Sequence, residues 1–254
     1  MKIAALAWTG DNIGDDIQSV AVMQHLPPVD LFLPRDHLNR YEGERALLVM
    51  NGWFLSEVQN WPPSDRIVPV FFGFHVQKRA RKIVAEHADY LRRHAPIGCR
   101  DKATAEFVRS LGVEAYFSYC ATLTFDAPPD RMPDSIFLVE PEREHRLGRL
   151  ANPSRLYVHN VSHRLVPVPT ELRIAFAREI VRTYGRTASH VVTSRIHCAM
   201  PCVAMGIPTL FTGPVGRRTS IIDEVGIQRA PVPGLSERIL GLRPLALPEP
   251  LDIT

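Results

Sequence analysis

The stretch ASHVVTSRIHCAMPCVAMGIPTLFTG, Ala188 to Gly213, decides the fold class. HVVTS reads as a buried, β-branched strand, RIHCAMPCVAMG as a buried helix and PTLFTG as a second strand after Gly206-Ile207-Pro208. A strand, helix and strand with so little polar surface predict a parallel sheet covered on both faces. The polar residues gather at the seam. Thr193 and Ser194 end the strand, and Arg195 falls near the helix N-terminus, where a cation opposes the macrodipole. A bound anion, held by helix N–H groups and the guanidinium fork, would resolve that conflict, with His197 adding a hydrogen bond or a proton. A neighbouring Asp or Glu side chain would resolve it as well.

Working outward, the same alternation recurs. KIAALAW, Lys2 to Trp8, reads as a strand, TGDNIGDD as a turn-rich loop and IQSVAVMQHL as a helix. VDLFL, ALLVMNGW and IVPVFFGFHV suit further buried strands, and the spacing from Lys78 to Arg93 predicts one long amphipathic helix. APIGCRD then gives a short strand and a turn at Arg100-Asp101 before a helix from about Lys102 to Leu111, with Asp101 at the N-cap position and a strand pair beyond Gly112. DAPPDRMPD, Asp126 to Asp134, breaks the pattern and reads as a linker. A second series follows, including the helix ELRIAFAREIVRTYG ending at Gly185. The expectation is an α/β protein of two Rossmann-like halves facing a cleft, residues 1–130 and 131–254, with the proline-rich end beyond Leu242 wrapping back over the surface.

Composition excludes several classes. With 45% hydrophobic and 22% charged residues, the 254-residue chain is globular rather than disordered. A net charge of +3 is too small for nucleic-acid binding without a concentrated basic patch, and QKRARK, Gln77 to Lys82, continues with helical spacing as a solvated face. Most of the 30 basic residues are Arg, which suits forked recognition of phosphate or carboxylate. The first residues hold too few apolar side chains for a signal core or a membrane span, so a cytoplasmic protein is expected. Cys99, Cys120, Cys198 and Cys202 form no Cys-x-x-Cys pair; Cys198 and Cys202 with His197 read as close-packed helix residues rather than a metal site.

Three segments, NIGDDIQSVAVMQHL, GCRDKATAEFVRSLG and LRIAFAREIVRTYGRTASHVVTSRIHCAMPCVAMGIPTLF, resemble the polysaccharide pyruvyl transferase family in the family's order. The resemblance implies a fold like that of GT-B glycosyltransferases and transfer of the carboxyethylidene group of phosphoenolpyruvate to two sugar hydroxyls. It implies that Arg100, Arg195 and His197 hold phosphoenolpyruvate, with Ile196 in place of the family's Leu; Ser194 joins them as a donor-binding candidate. No metal or other cofactor is implied.

The chemistry fits these residue types. Two guanidinium forks can clamp the phosphate and carboxylate of the donor. Ketal formation needs a proton at the methylene carbon and removal of one from the attacking hydroxyl, which makes His197 the candidate acid and Asp15 or Asp101 the candidate base. Asp101 also has the plainer reading of an N-cap. Acceptor-binding candidates are Asn12 and Gly14 in the first loop, His75 after an apolar strand, and His159 and His163 in YVHNVSHR; a tight turn explains Gly14 equally. Arg217 and Arg218 could meet donor phosphate or form a solvated turn, and Trp53 and Trp61 could stack on a sugar or pack in the core. The expected partners are phosphoenolpyruvate and a sugar or lipid-linked oligosaccharide, any contact with a membrane surface coming through that acceptor. A nucleotide-sugar glycosyltransferase and a non-catalytic glycan- or anion-binding protein are the competing readings.

Overall fold

The computed structural model describes residues 1–54, 57–141, 157–214, 216 and 219–229. Two compact units divide the chain, the first comprising Met1–Thr122 and Arg164–Arg178, the second Leu123–His163 and Glu179–Thr254. The proline-rich segment Asp126 to Asp134 carries neither helix nor strand and falls inside the second unit.

The first unit contains β1 (Lys2–Ala7), α1 (Gly14–Met23), β2 (Leu31–Pro34), β3 (Ala46–Phe54), β4 (Ile67–Val76), α2 (Arg81–Glu86), α3 (Ala88–Arg93), β5 (Ile97–Cys99), α4 (Lys102–Ser110) and β6 (Ala115–Phe117). The strands form one parallel sheet in the order β2-β1-β3-β4-β5-β6. The apolar runs have the length and β-branched content of strands buried on both faces, and Leu48, Met50, Phe71 and Phe74 are at most 2% exposed. Trp61 stacks on Phe74 at 5.9 Å in this core. The chain leaves β1 for β2 on one side and reaches β3 on the other, so the order reverses between β1 and β3. In open α/β sheets, ligands bind beyond the carboxyl ends of strands at such a reversal.

The segment expected as one helix from Lys78 to Arg93 is a 3-10 turn, Lys78–Ala80, followed by α2 and α3. The break falls at His87, with φ −114° and ψ 32°. Its Nδ1 lies 3.0 Å from the Ile83 carbonyl, a side-chain contact with the backbone that competes with helical hydrogen bonding.

The second unit contains β7 (Ser135–Val139), β8 (Tyr157–Val161), the second half of α5 (Thr170–Thr187), β9 (Ala188–Thr193), α6 (Ile196–Ala204), β10 (Thr209–Phe211) and α7 (Ser220–Val225). Its parallel sheet runs β10-β9-β7-β8, so its order reverses between β7 and β9. Helix α5 continues through Gly185, two residues past its expected end. A Cβ there would stand 2.9 Å from Met205 and from Pro128, so this glycine serves close packing rather than helix termination. Arg217, Arg218 and the end beyond Leu242 lie outside the described residues.

Arg164–Arg178 joins the first unit through specific bonds. Leu165 N–H donates to the Asp11 carbonyl at 2.6 Å, and Arg173 grips Asp16 through two hydrogen bonds of 2.7 and 3.1 Å, both side chains being at most 3% exposed. Burial pushes the Asp16 carboxyl up even against the opposing hydrogen bond and charge of Arg173. The pair therefore positions the first half of α5 on α1 within the first unit, with desolvation offsetting its attraction. Arg173→Ala strands the Asp16 charge and is expected to lower stability by about 3–5 kcal/mol in urea denaturation. A loss below about 1 kcal/mol would show the pair to be energetically idle.

Candidate functional site

Polar side chains concentrate at the carboxyl ends of both sheets, and each unit is described separately. In the second unit, β7 and β9 end side by side with Val139 opposite Thr193. The buried Thr193 hydroxyl donates to the Val139 carbonyl at 2.9 Å and accepts from Arg195 N–H at 2.9 Å. The hydroxyl of Ser194 donates to the Glu140 carbonyl, and Arg195 Nε donates to the Glu140 carboxylate. Ser162 donates to the other Glu140 oxygen at 2.6 Å. Glu140 adopts φ +43°, a left-handed backbone at a non-glycine residue, held by these contacts from two chain segments. Burial alone would raise its carboxyl; the Ser162 and Arg195 hydrogen bonds outweigh that, and it lies below the usual value.

Arg195 is thus the residue before α6, and its charge conflict with the helix is met in this structure by Glu140. The protein's own carboxylate fills the role that sequence assigned equally to a bound anion. The Arg195 side chain keeps 30% exposure. His197 sits in the first turn of α6 with non-helical φ −85° and ψ 15°, and is 6% exposed. Gly213 allows the return from β10 to pass close by: a Cβ there would lie 2.8 Å from the Ser194 carbonyl. Cys198 and Cys202 are fully buried free thiols.

The other histidines of this unit are placed elsewhere. His163 is fully buried, with Nε2 2.9 Å from the Tyr184 hydroxyl. His159 stacks on Phe137 at 4.9 Å and bonds Ser135 at the amino end of β7, opposite the end that bears Glu140. The structure therefore gathers Ser194, Arg195 and His197, and separates His159 from them.

In the first unit the switch between β1 and β3 carries Asp15. Asn12 arranges the turn by accepting from Gly14 N–H at 3.2 Å and donating to Asp15 at 3.3 Å. Asp15 Oδ1 accepts from both Gln18 Nε2 and Arg35 Nη1, each at 3.1 Å. Its carboxylate stands in the first turn of α1, where the macrodipole favours it. Arg35, which the sequence reading missed, has its guanidinium 3.5 Å from the Trp8 ring centroid and 5.0 Å from that of Trp53. Burial pushes Arg35 below the usual guanidinium value, Asp15 and Asp36 oppose the shift, and the like charge of Arg100 adds to it. A sequence signal was available: Arg35-Asp36 follows an apolar strand just as Arg100-Asp101 does.

A second cluster lies at the ends of β4 and β5. Asp101 is the N-cap of α4, accepting from Thr104 N–H at 2.9 Å, and also lies 2.5 Å from His75 Nδ1. Arg100 is 2% exposed, its N–H bonded to the Phe74 carbonyl at 2.9 Å. Among the described residues no group of three His, Cys, Asp or Glu side chains is arranged to hold a metal ion, and no helix is long and apolar enough to cross a membrane.

A chain with two parallel α/β sheets, each ending in an Arg and carboxylate pair at its switch point, has the form of a protein that handles small polar ligands at strand ends. The family model for polysaccharide pyruvyl transferase matches residues 12–214, and the chain belongs to that family of pyruvyl-group transferases. No curated protein matches significantly. Among solved structures, the fold is similar to that of a functionally uncharacterised protein from Klebsiella pneumoniae, with TM-score 0.52 and 12% identity over 87% of this chain and 88% of that one.

The Asp101 geometry has a pH consequence. Burial raises its carboxyl, but the His75 hydrogen bond and charge, with Arg100 and Thr104, bring it below the ordinary 3.8. A depressed carboxylate contributes stability above its unfolded pKa and loses it as pH falls through the folded value. The stability difference between wild type and Asp101→Asn is therefore expected to shrink as pH falls from about 5 to below about 4. A difference independent of pH across that range contradicts the assignment. Asp101→Ala is expected to cost about 1 kcal/mol more than Asp101→Asn by removing the cap.

Proposed function

We propose that this protein transfers the carboxyethylidene group of phosphoenolpyruvate to two hydroxyls of a sugar in a polysaccharide or its lipid-linked precursor. The observation that supports this most is the arrangement of Ser194, Arg195 and His197 at the β7/β9 switch point of a chain in the pyruvyl transferase family. In the reaction the methylene carbon gains a proton, both hydroxyl oxygens bond to the central carbon, the bond from that carbon to the phosphate-bearing oxygen breaks, and phosphate leaves. The hydroxyl protons balance the proton taken by carbon and that carried by phosphate, so water is neither consumed nor formed.

Arg195 is the donor-binding residue of this proposal. Its Glu140 partner keeps the guanidinium oriented before the donor arrives, and an incoming phosphate or carboxylate exchanges one anionic partner for another. His197 supplies the proton to carbon or to the departing phosphate. Arg100, at the end of β5, is carried as a donor-binding candidate read by the same assay. Asp15 and Asp101 remain the candidate bases; both already accept hydrogen bonds, and Asp101 also serves as a cap.

Thermal denaturation tests the donor. At a hundredfold excess over its dissociation constant, phosphoenolpyruvate is expected to stabilise the protein by about 2.7 kcal/mol, raising Tm by roughly 5–10 °C. Protection by nucleotide sugars and not by phosphoenolpyruvate would replace this proposal with glycosyl transfer. Arg195→Ala should weaken donor binding at least about tenfold, and His197→Ala should chiefly lower turnover, by about 10²- to 10⁴-fold.

The carboxylate exchange gives a prediction of opposite sign. Glu140→Gln removes the competing charge, so phosphoenolpyruvate should bind it more tightly than wild type in calorimetric titration. Weaker binding would mean that Glu140 acts only to hold Arg195 in place.

A further inference from the structure

Three side chains lining the β1/β3 crevice carry buried polar atoms with no hydrogen-bond partner among the described residues, Trp8 Nε1, Arg35 Nη2 and Gln18 Oε1, while Arg35 Nε, also without a hydrogen bond, faces Asp36 at 3.9 Å. The crevice is lined by these side chains together with Asp15, Ser19 and Asn51. The Arg35 side chain is 4% exposed and Gln18 is 3% exposed, so bulk solvent does not satisfy them. Leaving such an atom unbonded forfeits its hydration without replacement, and here three side chains of one crevice carry that cost.

The surroundings fix which atoms are left over. Asp15 Oδ1 binds Gln18 Nε2 and Arg35 Nη1 at 3.1 Å each, and because a carboxylate only accepts, the Gln18 amide is oriented with Oε1 away from it. Arg35 is held between Trp8 and Trp53. The bulge after Met50 places Gly52 at φ +96°, and a Cβ there would stand 2.8 Å from Gln18 Oε1, so glycine makes the room for that oxygen.

With Arg35 Nε turned to Asp36, which does not line the crevice, the leftover set is two donors and one acceptor. A hydroxyl group accepts from the donors and donates to Gln18. A carboxylate or a fully ionised phosphate ester only accepts, and either would face the Gln18 carbonyl oxygen and the Asp15 carboxylate. The crevice has room for about one water-sized group, which admits a hydroxyl but not a sugar ring.

We infer that Trp8, Gln18 and Arg35 form a specificity site that reads one hydroxyl of the acceptor sugar. Calling the ligand an acceptor rests on the pyruvyl-transfer proposal; the hydroxyl selectivity rests on the three side chains alone. A site built to hydrogen-bond a hydroxyl rejects the analogue that lacks it.

The test is calorimetric titration of the full chain with methyl glycosides of galactose, glucose and mannose and their monodeoxy analogues. One parent glycoside should bind, and one monodeoxy analogue should bind at least about tenfold more weakly. In Gln18→Met that penalty should fall to about threefold or less, because residue and hydroxyl form a coupled pair; Arg35→Lys should act likewise, and Gln18→Met carries the test if Arg35→Lys does not fold. A deoxy penalty as large in Gln18→Met as in wild type overturns the inference, as does failure of all three parents to bind, which would leave the crevice to a water molecule. Thermal protection by phosphoenolpyruvate, measured alongside, separates the two claims. If protection is absent while the coupled penalty is present, the hydroxyl site stands and pyruvyl transfer does not.

Discussion

Parallel strands buried on both faces use their backbone groups within the sheet and their side chains in the core, leaving polar chemistry to the residues just past their carboxyl ends. The strands that flank the switch points, β1, β3, β7 and β9, are largely buried in this way, while β8 is exposed, and both sheets reverse strand order, between β1 and β3 and between β7 and β9. Each reversal carries an Arg and carboxylate pair, Arg35 with Asp15 and Arg195 with Glu140. The pairs differ in burial. Arg35 is 4% exposed and held by indole rings, whereas Arg195 is 30% exposed beside a helix N-terminus.

A paired arginine is a reasonable starting state for anion binding. A lone guanidinium opposing a helix dipole would carry an electrostatic cost before the ligand arrived. Glu140 removes that cost and holds the fork, while Ser162 holds its carboxylate and Ser194 bonds the carbonyl of its left-handed backbone. Under the proposed function, donor binding is an exchange between two anions, with affinity set by their difference.

The fold was legible where local pattern suffices. Buried strands announced themselves by β-branched runs, and the Asp101 cap by its place before an amphipathic segment. Arg195 stood out because its charge conflicts with its position. Its partner did not, because Glu140 is 55 residues away in the chain and nothing local links the two. His75 likewise gave no sign of Asp101, 26 residues on. Periodicity from Lys78 to Arg93 hid the break at His87, which depends on one side chain reaching a carbonyl. Gly185 looked like a helix stop, but its function is contact with Met205 and Pro128, which only packing reveals. Arg35 was missed because an arginine after a strand is ordinary until its aromatic and carboxylate neighbours are assembled around it.

The central claim is that pyruvate leaves phosphoenolpyruvate and ends as a ketal on a sugar. Mass spectrometry of synthetic and lipid-linked glycosides incubated with enzyme and phosphoenolpyruvate tests it most directly. The account predicts a product heavier by one pyruvate less one water, formed with an equal amount of phosphate and absent with Arg195→Ala. Transfer of a hexose from a nucleotide sugar, or unchanged glycosides under conditions where phosphoenolpyruvate is bound, would contradict it.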